Sequence, residues 1–228
     1  MPCRARKHQL NNSLIYHVFN RGNKKEAVFN NHNDYVYFIN LLKEYNARFA
    51  LQIYHWALMP NHYHLLLEIN EPELISKCMA GLNRAYTCYY HRINATSGFL
   101  WQGRFKLQPI QKEKYMITCG RYIERNPVRA GIAAEAQDYP YSSSGFYCLG
   151  KDDDLTSEDP TFVDFGLDIA NRRLRYREFL DSFDSEEERS FKNLERPQGN
   201  REFVKRLARE HGRLLPKRRG RISKGIVA

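Results

Sequence analysis

A chain of 228 residues has room for one sizeable domain with an appendage, or for two small ones. With 42% hydrophobic and 13% aromatic residues it can bury a core, which excludes bulk disorder, and no apolar run approaches the roughly 20 residues that cross a bilayer. A net charge of +10 points to a polyanionic partner, nucleic acid first.

Met1 to Leu10 lacks the apolar stretch of a signal peptide, so the expectation is a cytoplasmic protein without a membrane partner, nucleoid-associated when bound to DNA. The five cysteines are odd in number and form no C-x-x-C pair, which argues against a disulfide framework or a zinc knuckle. Charge is unevenly spread. Residues 201–228 hold ten Lys/Arg against two Asp/Glu, residues 151–188 hold five against thirteen, and a net +8 remains on residues 1–150. The expected organisation is a basic domain over residues 1–150, then an acidic linker and a basic, mostly helical extension over 151–228.

In chain order, Met1 to Asn12 is polar and basic, with Arg4, Arg6 and Lys7 available to contact nucleic acid. Leu14 to Asn20 alternates like a strand, and Arg21-Gly22-Asn23 closes it as a turn. Asn31 or Asn33 caps a helix through Tyr35, Phe38, Leu41, Leu42 and Tyr45. Leu51 to Met59 reads as a strand, Pro60-Asn61 as a tight reversal, and His62 to Ile69 as the partner strand of a hairpin. Pro72 opens a second helix with Leu74, Cys78, Leu82, Ala85 and Tyr89 on one stripe. Phe99 to Ile110 is expected to be extended. Lys112 to Asn126 is expected to be a third helix that Pro127 ends. Lys151 to Asp159 has the composition of a linker. Three further helices are expected, at Ile169 to Phe183, Glu186 to Leu194 and Arg201 to Leu215, before a polycationic Lys217-Arg218-Arg219 tail. The order β-α-β-β-α-β-α predicts an α+β, ferredoxin-like (RRM-like) antiparallel sheet with helices packed on it, the histidine-bearing strand near its middle.

Two residue sets could carry chemistry. His62 and His64 are two apart at the head of a strand, so their side chains project to one face and can share a divalent ion. Neutral imidazoles suit Mn, Zn, Fe or Ni, and Mg where phosphate oxygens complete the shell. Glu68 has the same parity but lies about 13 Å further along, too far to serve the same ion. On the third helix Tyr115, Thr118, Cys119, Tyr122 and Asn126 share a face. Tyr115 reads as core. Tyr122 and Asn126 are one helical turn apart beside the helix end, where an amide oxygen can ligate a hard cation and a phenol can reach that cation's substrate. A phenol, with a free pKa near 10, needs a metal-polarised phosphate and a proton acceptor to attack. Basic residues interleaved with aromatics (Arg21, Lys24, Trp101, Arg104, Lys106, Arg129) suit backbone contacts and base stacking on unpaired DNA.

Four strings carry a resemblance. They are His17-Val18-Phe19-Asn20-Arg21-Gly22-Asn23-Lys24-Lys25-Glu26-Ala27-Val28-Phe29, Leu58-Met59-Pro60-Asn61-His62-Tyr63-His64-Leu65-Leu66-Leu67-Glu68, Trp101-Gln102-Gly103-Arg104-Phe105, and Arg121-Tyr122-Ile123-Glu124-Arg125-Asn126-Pro127-Val128-Arg129-Ala130-Gly131. Together, over about residues 13–147, the chain resembles the single-tyrosine HUH transposases and most of all the REP-associated tyrosine transposases. The resemblance implies a single-stranded DNA endonuclease and strand transferase that uses Mg²⁺ or Mn²⁺ and acts on REP-type hairpins. Tyr122 would be the nucleophile, with Tyr115 the lesser candidate, leaving a 5′-phosphotyrosine and a free 3′-OH. His62 and His64 would hold the metal, and Asn126 stands where insertion-sequence relatives place a metal-binding Gln. A monomer and a homodimer are both open. So are two other functions: a non-catalytic nucleic-acid-binding protein on this fold, and an H-x-H phosphodiesterase that uses water.

Overall fold

The computed structural model describes residues 15–182, 185–192 and 196–211. Arg4, Arg6, Lys7, Lys217, Arg218 and Arg219, expected at the DNA, lie outside the described residues.

One antiparallel sheet is built in the order β2–β3–β1–β4. Its strands are β1 (Ile15–Arg21), β2 (Leu51–Met59), β3 (His62–Ile69) and β4 (Lys106–Ile110). Helices α1 (His32–Phe49) and α2 (Ile75–Asn94) make the crossovers from β1 to β2 and from β3 to β4. This is the expected ferredoxin-like α+β arrangement, with β3 inside the sheet. The side chain of Asn31 starts α1 by accepting from the backbone N–H groups of Asn33 and Asp34.

Helices cover both faces. On one side Phe38, Leu42, Leu82 and Tyr86 of α1 and α2 meet Tyr16, Val18, Leu65 and Leu67. On the other, Met116, Cys119, Tyr122 and Ile123 of α3 (Lys114–Glu124) meet Ile15, Tyr54 and Leu66. Leu65, Leu66 and Leu67 of β3 are therefore all fully buried, each contributing about 1.5–3 kcal/mol. A bulge in β2 shifts the register between Ile53 and His55. Tyr54 and His55 thereby both lie on the α3 side, because a bulge breaks the strict alternation of side chains.

Three local expectations are corrected. Of Phe99 to Ile110 only Lys106–Ile110 is strand; before it, Trp101 makes a lone bridge to Gly22. Pro127 does not end the third helix. The chain breaks at Arg125 and starts a fresh turn, α4 (Asn126–Arg129), in which Pro127 sits where no amide hydrogen is needed. Lys151 to Asp159, expected as a linker, is fixed to the sheet. Ser157 N donates to Ile53 O at 2.7 Å, Trp56 Nε1 donates to Thr156 Oγ1 at 3.0 Å, and Asp159 is fully buried. A third cluster forms there from Ile117, Tyr147, Phe162, Tyr176 and Leu180, between α3, α5 (Ser144–Leu149) and α6 (Ile169–Asp181).

The open edge of β4 is also covered. Gln198 donates its backbone N–H to Pro109 O at 2.9 Å and accepts from Gln111 N at 2.8 Å, a parallel stub that blunts the edge. After α7 (Ser185–Lys192), α8 (Arg201–His211) buries Phe203 and Leu207 in the first core. Among the described residues no helix is long and apolar enough to cross a membrane.

Candidate active site

The tight Pro60-Asn61 turn delivers His62 and His64 onto the α3 face of β3. In the β1–β3 ladder His64 lies opposite Phe19 and His62 opposite Arg21. Opposed residues of an antiparallel pair share a face, so His17, Phe19 and Arg21 stand alongside the two histidines. The His62 and His64 ring centroids are 5.0 Å apart, and the Phe19 ring rests on both. His62 Nδ1 lies 2.6 Å from Asn61 Oδ1, and His64 Nδ1 lies 2.8 Å from His17 Nε2. His17 Nδ1 lies 3.0 Å from Gln108 Oε1.

Helix α3 and the turn after it bring the rest. The Tyr122 ring sets its edge against His64 at 5.8 Å and His17 at 5.9 Å. Asn126 Nδ2 donates back to Tyr122 O and Ile123 O, at 2.9 and 3.0 Å, which fixes the amide at the helix break. Its Oδ1 accepts from Arg129 Nη2, and its side chain also hydrogen-bonds His62. The fresh turn made by Pro127 folds Arg129 back, placing its guanidinium carbon 4.4 Å from the centre of the Tyr122 ring. Helix α7 covers this assembly: the Phe191 ring is 5.5 Å from that of Tyr122, and Glu188 Oε1 is 3.5 Å from Arg129 Nη1. Tyr115 lies two helical turns earlier, about 10 Å along the axis. Among the described residues Tyr122, not Tyr115, is the tyrosine in ring contact with His17 and His64.

The electrostatics keep these imidazoles neutral. Burial lowers His62 to about 4, assisted by the charges of Arg21 and Arg129. Burial also lowers His64 well below its ordinary value and His17 to about 4. Burial raises the Tyr122 phenol, against the pull of Arg129. Among the described residues no three His, Cys, Asp or Glu side chains converge as a ready-made metal cluster. The donors that could serve an ion here are instead two imidazoles, His62 and His64, and the amide oxygen of Asn126. Such a set fits a divalent ion, because neutral imidazoles keep a lone pair for the metal at neutral pH and the Asn126 Oδ1 lone pair that now meets His62 is one such an ion would take.

A family model described as "Transposase IS200 like" matches residues 11–126, just over half of the chain. The chain belongs to the IS200-like transposase family. The stretch matched contains β1 through α3 with His62, His64, Tyr122 and Asn126, while Arg129 and all of α4 to α8 but Asn126 lie beyond it. A solved structure of a REP-associated tyrosine transposase bound to a REP hairpin shares the fold at a TM-score of 0.51 and 16% identity, covering 70% of this chain and 92% of that one. No curated protein sequence matches the chain.

The remaining DNA-contact expectations separate on this IS200-like scaffold. Arg21 sits beside His62, held by Gln102 Oε1 at 3.2 and 3.0 Å, and Lys24, Arg104 and Lys106 are exposed. Trp101 packs against Tyr63 and Tyr86 on the α1/α2 side and spends its indole N–H on Asn83 O, so it is not brought to the histidines. Glu68 is engaged elsewhere, by Tyr54 and Lys112.

Sequence reading did not single out His17, Gln108, Glu188 or Phe191 as site residues. His17 had one usable signal, its place in the same opening string as Arg21. A second histidine assembly was also missed. His55 Nδ1 lies 2.8 Å from Glu124 Oε1 and His55 Nε2 lies 3.1 Å from Asp159 Oδ2, all three fully buried. Ser143 and Tyr176 donate to Glu124, and Thr161 donates to Asp159. Burial works to lower His55, but Glu124 and Asp159 outweigh it and raise it to about 9. Gly120 makes this possible, since a Cβ there would lie 2.7 Å from the His55 ring.

Proposed function

We propose that this IS200-like transposase cleaves single-stranded DNA beside REP-type hairpins, with Tyr122 as nucleophile and His62, His64 and Asn126 as metal ligands. The observation that carries the reading is the position of Tyr122, whose ring sits against His64 and His17 while Arg129 and Asn126 close the same space. IS200-like transposases are generally dependent on a divalent metal. A bound Mg²⁺ or Mn²⁺ would supply Lewis-acid polarisation of the scissile phosphate.

The chain's own residues do the rest. Tyr122 Oη forms a bond to phosphorus, the bond from phosphorus to the 3′-oxygen breaks, and the departing 3′-oxygen leaves as a hydroxyl after taking up a proton. Because burial raises the phenol, its proton has to pass to water or another acceptor as attack proceeds. Arg129, against both the Tyr122 ring and Asn126, offers the cation that a phosphate needs. In the closed arrangement Glu188 is its anionic partner, and an incoming phosphate would take that place. Rejoining reverses the step with a new 3′-OH as attacking group. Arg21, Lys24, Arg104 and Lys106 would neutralise backbone phosphates.

The test is incubation with labelled single-stranded hairpin oligonucleotides and Mg²⁺ or Mn²⁺, followed by denaturing electrophoresis. A denaturant-resistant protein–DNA adduct that Tyr122→Phe abolishes, with binding retained, supports the reading. Cleavage that survives Tyr122→Phe would assign the attack to water. Tight binding without cleavage would make the chain a non-catalytic DNA-binding protein.

A further inference from the structure

The two candidate metal ligands are held differently on their protein side. His62 meets its own neighbour, Asn61, whereas His64 is the end of a chain of side chains that crosses the sheet. Cross-strand pairing assembles that chain. In the β1–β4 ladder His17 lies opposite Gln108, and in the β1–β3 ladder His64 lies opposite Phe19, two residues from His17 on the same face. His64 Nδ1 meets His17 Nε2 at 2.8 Å, His17 Nδ1 meets Gln108 Oε1 at 3.0 Å, and Gln108 Nε2 meets the backbone carbonyl of Arg196 at 2.7 Å. The hydrogen bonds of Gln198 to Pro109 and Gln111 pin that carbonyl in place two residues away.

Each link fixes the direction of the next. A backbone carbonyl can only accept, so the Gln108 amide nitrogen donates to it and the Gln108 oxygen faces His17. An amide oxygen can only accept, so His17 Nδ1 carries a hydrogen. Among the described residues His17 is fully buried and its two ring nitrogens meet an amide oxygen and an imidazole, with no carboxylate to hold a second proton, so it carries one hydrogen. A neutral imidazole protonated on Nδ1 has a lone pair on Nε2, so His17 accepts from His64. His64 must then carry its hydrogen on Nδ1.

We propose that the relay from the Arg196 carbonyl through Gln108 and His17 locks His64 in the Nδ1–H tautomer, with Nε2 bare as its ligand atom. Gln108 and His17 are positioning residues in this scheme, and Arg196 belongs to the C-terminal extension, outside the stretch that matches the family. The extension thereby sets the state of a residue in the family's own site. Only the use made of Nε2 rests on His64 being a metal ligand; the tautomer is a property of the metal-free chain. A hydrogen-bond partner on the far nitrogen is the ordinary device for orienting a ligating histidine, and its loss weakens metal binding by about 10- to 100-fold.

The experiment is a long-range ¹H–¹⁵N correlation spectrum of the imidazoles in the full-length, metal-free, ¹⁵N-labelled protein at pH 7.5. His64 should show one tautomer, with Nδ1 protonated and Nε2 unprotonated. A proton on His64 Nε2 would overturn the relay, and this reading needs no variant to fold. Gln108→Met removes both links at nearly constant volume. In a folded Gln108→Met, checked by circular dichroism, His64 should become a mixture of tautomers and Mn²⁺ should bind about 10- to 100-fold more weakly. An unchanged tautomer in that variant would also overturn the relay. Mn²⁺ added to the wild type should broaden the His64 signals. If the tautomer is as stated and Mn²⁺ leaves those signals untouched, the metal assignment falls while the relay stands.

Discussion

Two buried histidine assemblies lie against the same helix, and they are opposites. His17, His62 and His64 face other imidazoles, amides and arginines, and burial holds them neutral. His55 is as deeply buried, yet it is clamped between Glu124 and Asp159 and is raised to about 9, so it is an imidazolium at neutral pH. Depth does not separate them; the neighbours do. A buried imidazole without a carboxylate keeps one nitrogen lone pair, which an ion or, as in His17, a neighbouring donor can take. One between two carboxylates has both nitrogens committed and can only fasten. The fastener joins β2, the end of α3 and the segment around Asp159, and Glu124 is two residues from Tyr122. The neutral set and Tyr122 are thus held in place by a charged set that has no ring contact with Tyr122 among the described residues.

The largest effect should come from breaking the fastener. Glu124→Ala leaves a buried imidazolium facing one carboxylate, and loss of one partner of a buried pair costs about 3–5 kcal/mol, read as a fall in chemical-denaturation midpoint. Next comes pH. Unfolded, His55 titrates near 6.5, and folded it titrates at about 9. Its contribution is complete below pH 6.5 and is lost as pH rises through 9. At about 1.4 kcal/mol per unit this removes about 3 kcal/mol between neutral pH and pH 10, a loss that His55→Gln should not show. Asp159 acts at the acid end. His55 and Thr161 hold it below its ordinary value against the effect of burial, so its contribution is present at neutral pH and lost as pH falls through that lowered value. Gly120→Ala should cost about 1–3 kcal/mol, because the new methyl forces the His55 ring off its partners. The smallest stability effect belongs to the other assembly. His62→Ala should shift stability by about 1 kcal/mol or less while abolishing cleavage, and a shift as large as that of Glu124→Ala would erase the distinction between the two sets.

Much of the frame was legible in the chain. The strand His62–Ile69 emerges at the residues expected and Asn31 is the cap of the two offered, because their signals are local: alternation or apolar runs, a Pro-Asn turn, a side chain that caps. His62, His64, Tyr122 and Asn126 could likewise be read from i+2 and i+4 spacing and from the quoted strings. His17 and Gln108 could not be read as partners, since 91 residues separate them and only the sheet register makes them neighbours. The same holds for His55 and Asp159, 104 residues apart and joined after a bulge that no alternation rule reveals. Lys151 to Asp159 misled because acidic composition resembles a solvated linker. It is anchored by single buried groups, Leu155 and Asp159, that composition averages away. Pro127 misled because a proline, read as a helix stop, is also a favourable second residue of a new helical turn.

The most direct test of the central claim is to locate the covalent bond. After reaction with a single-stranded hairpin substrate and Mn²⁺, trypsin separates the two tyrosines, cutting after Lys114, Arg121 and Arg125. Mass spectrometry should find the nucleotide phosphate on the fragment Tyr122-Ile123-Glu124-Arg125. Nucleotide on the fragment from Tyr115 to Arg121, or cleaved DNA with no modified fragment, would contradict the account.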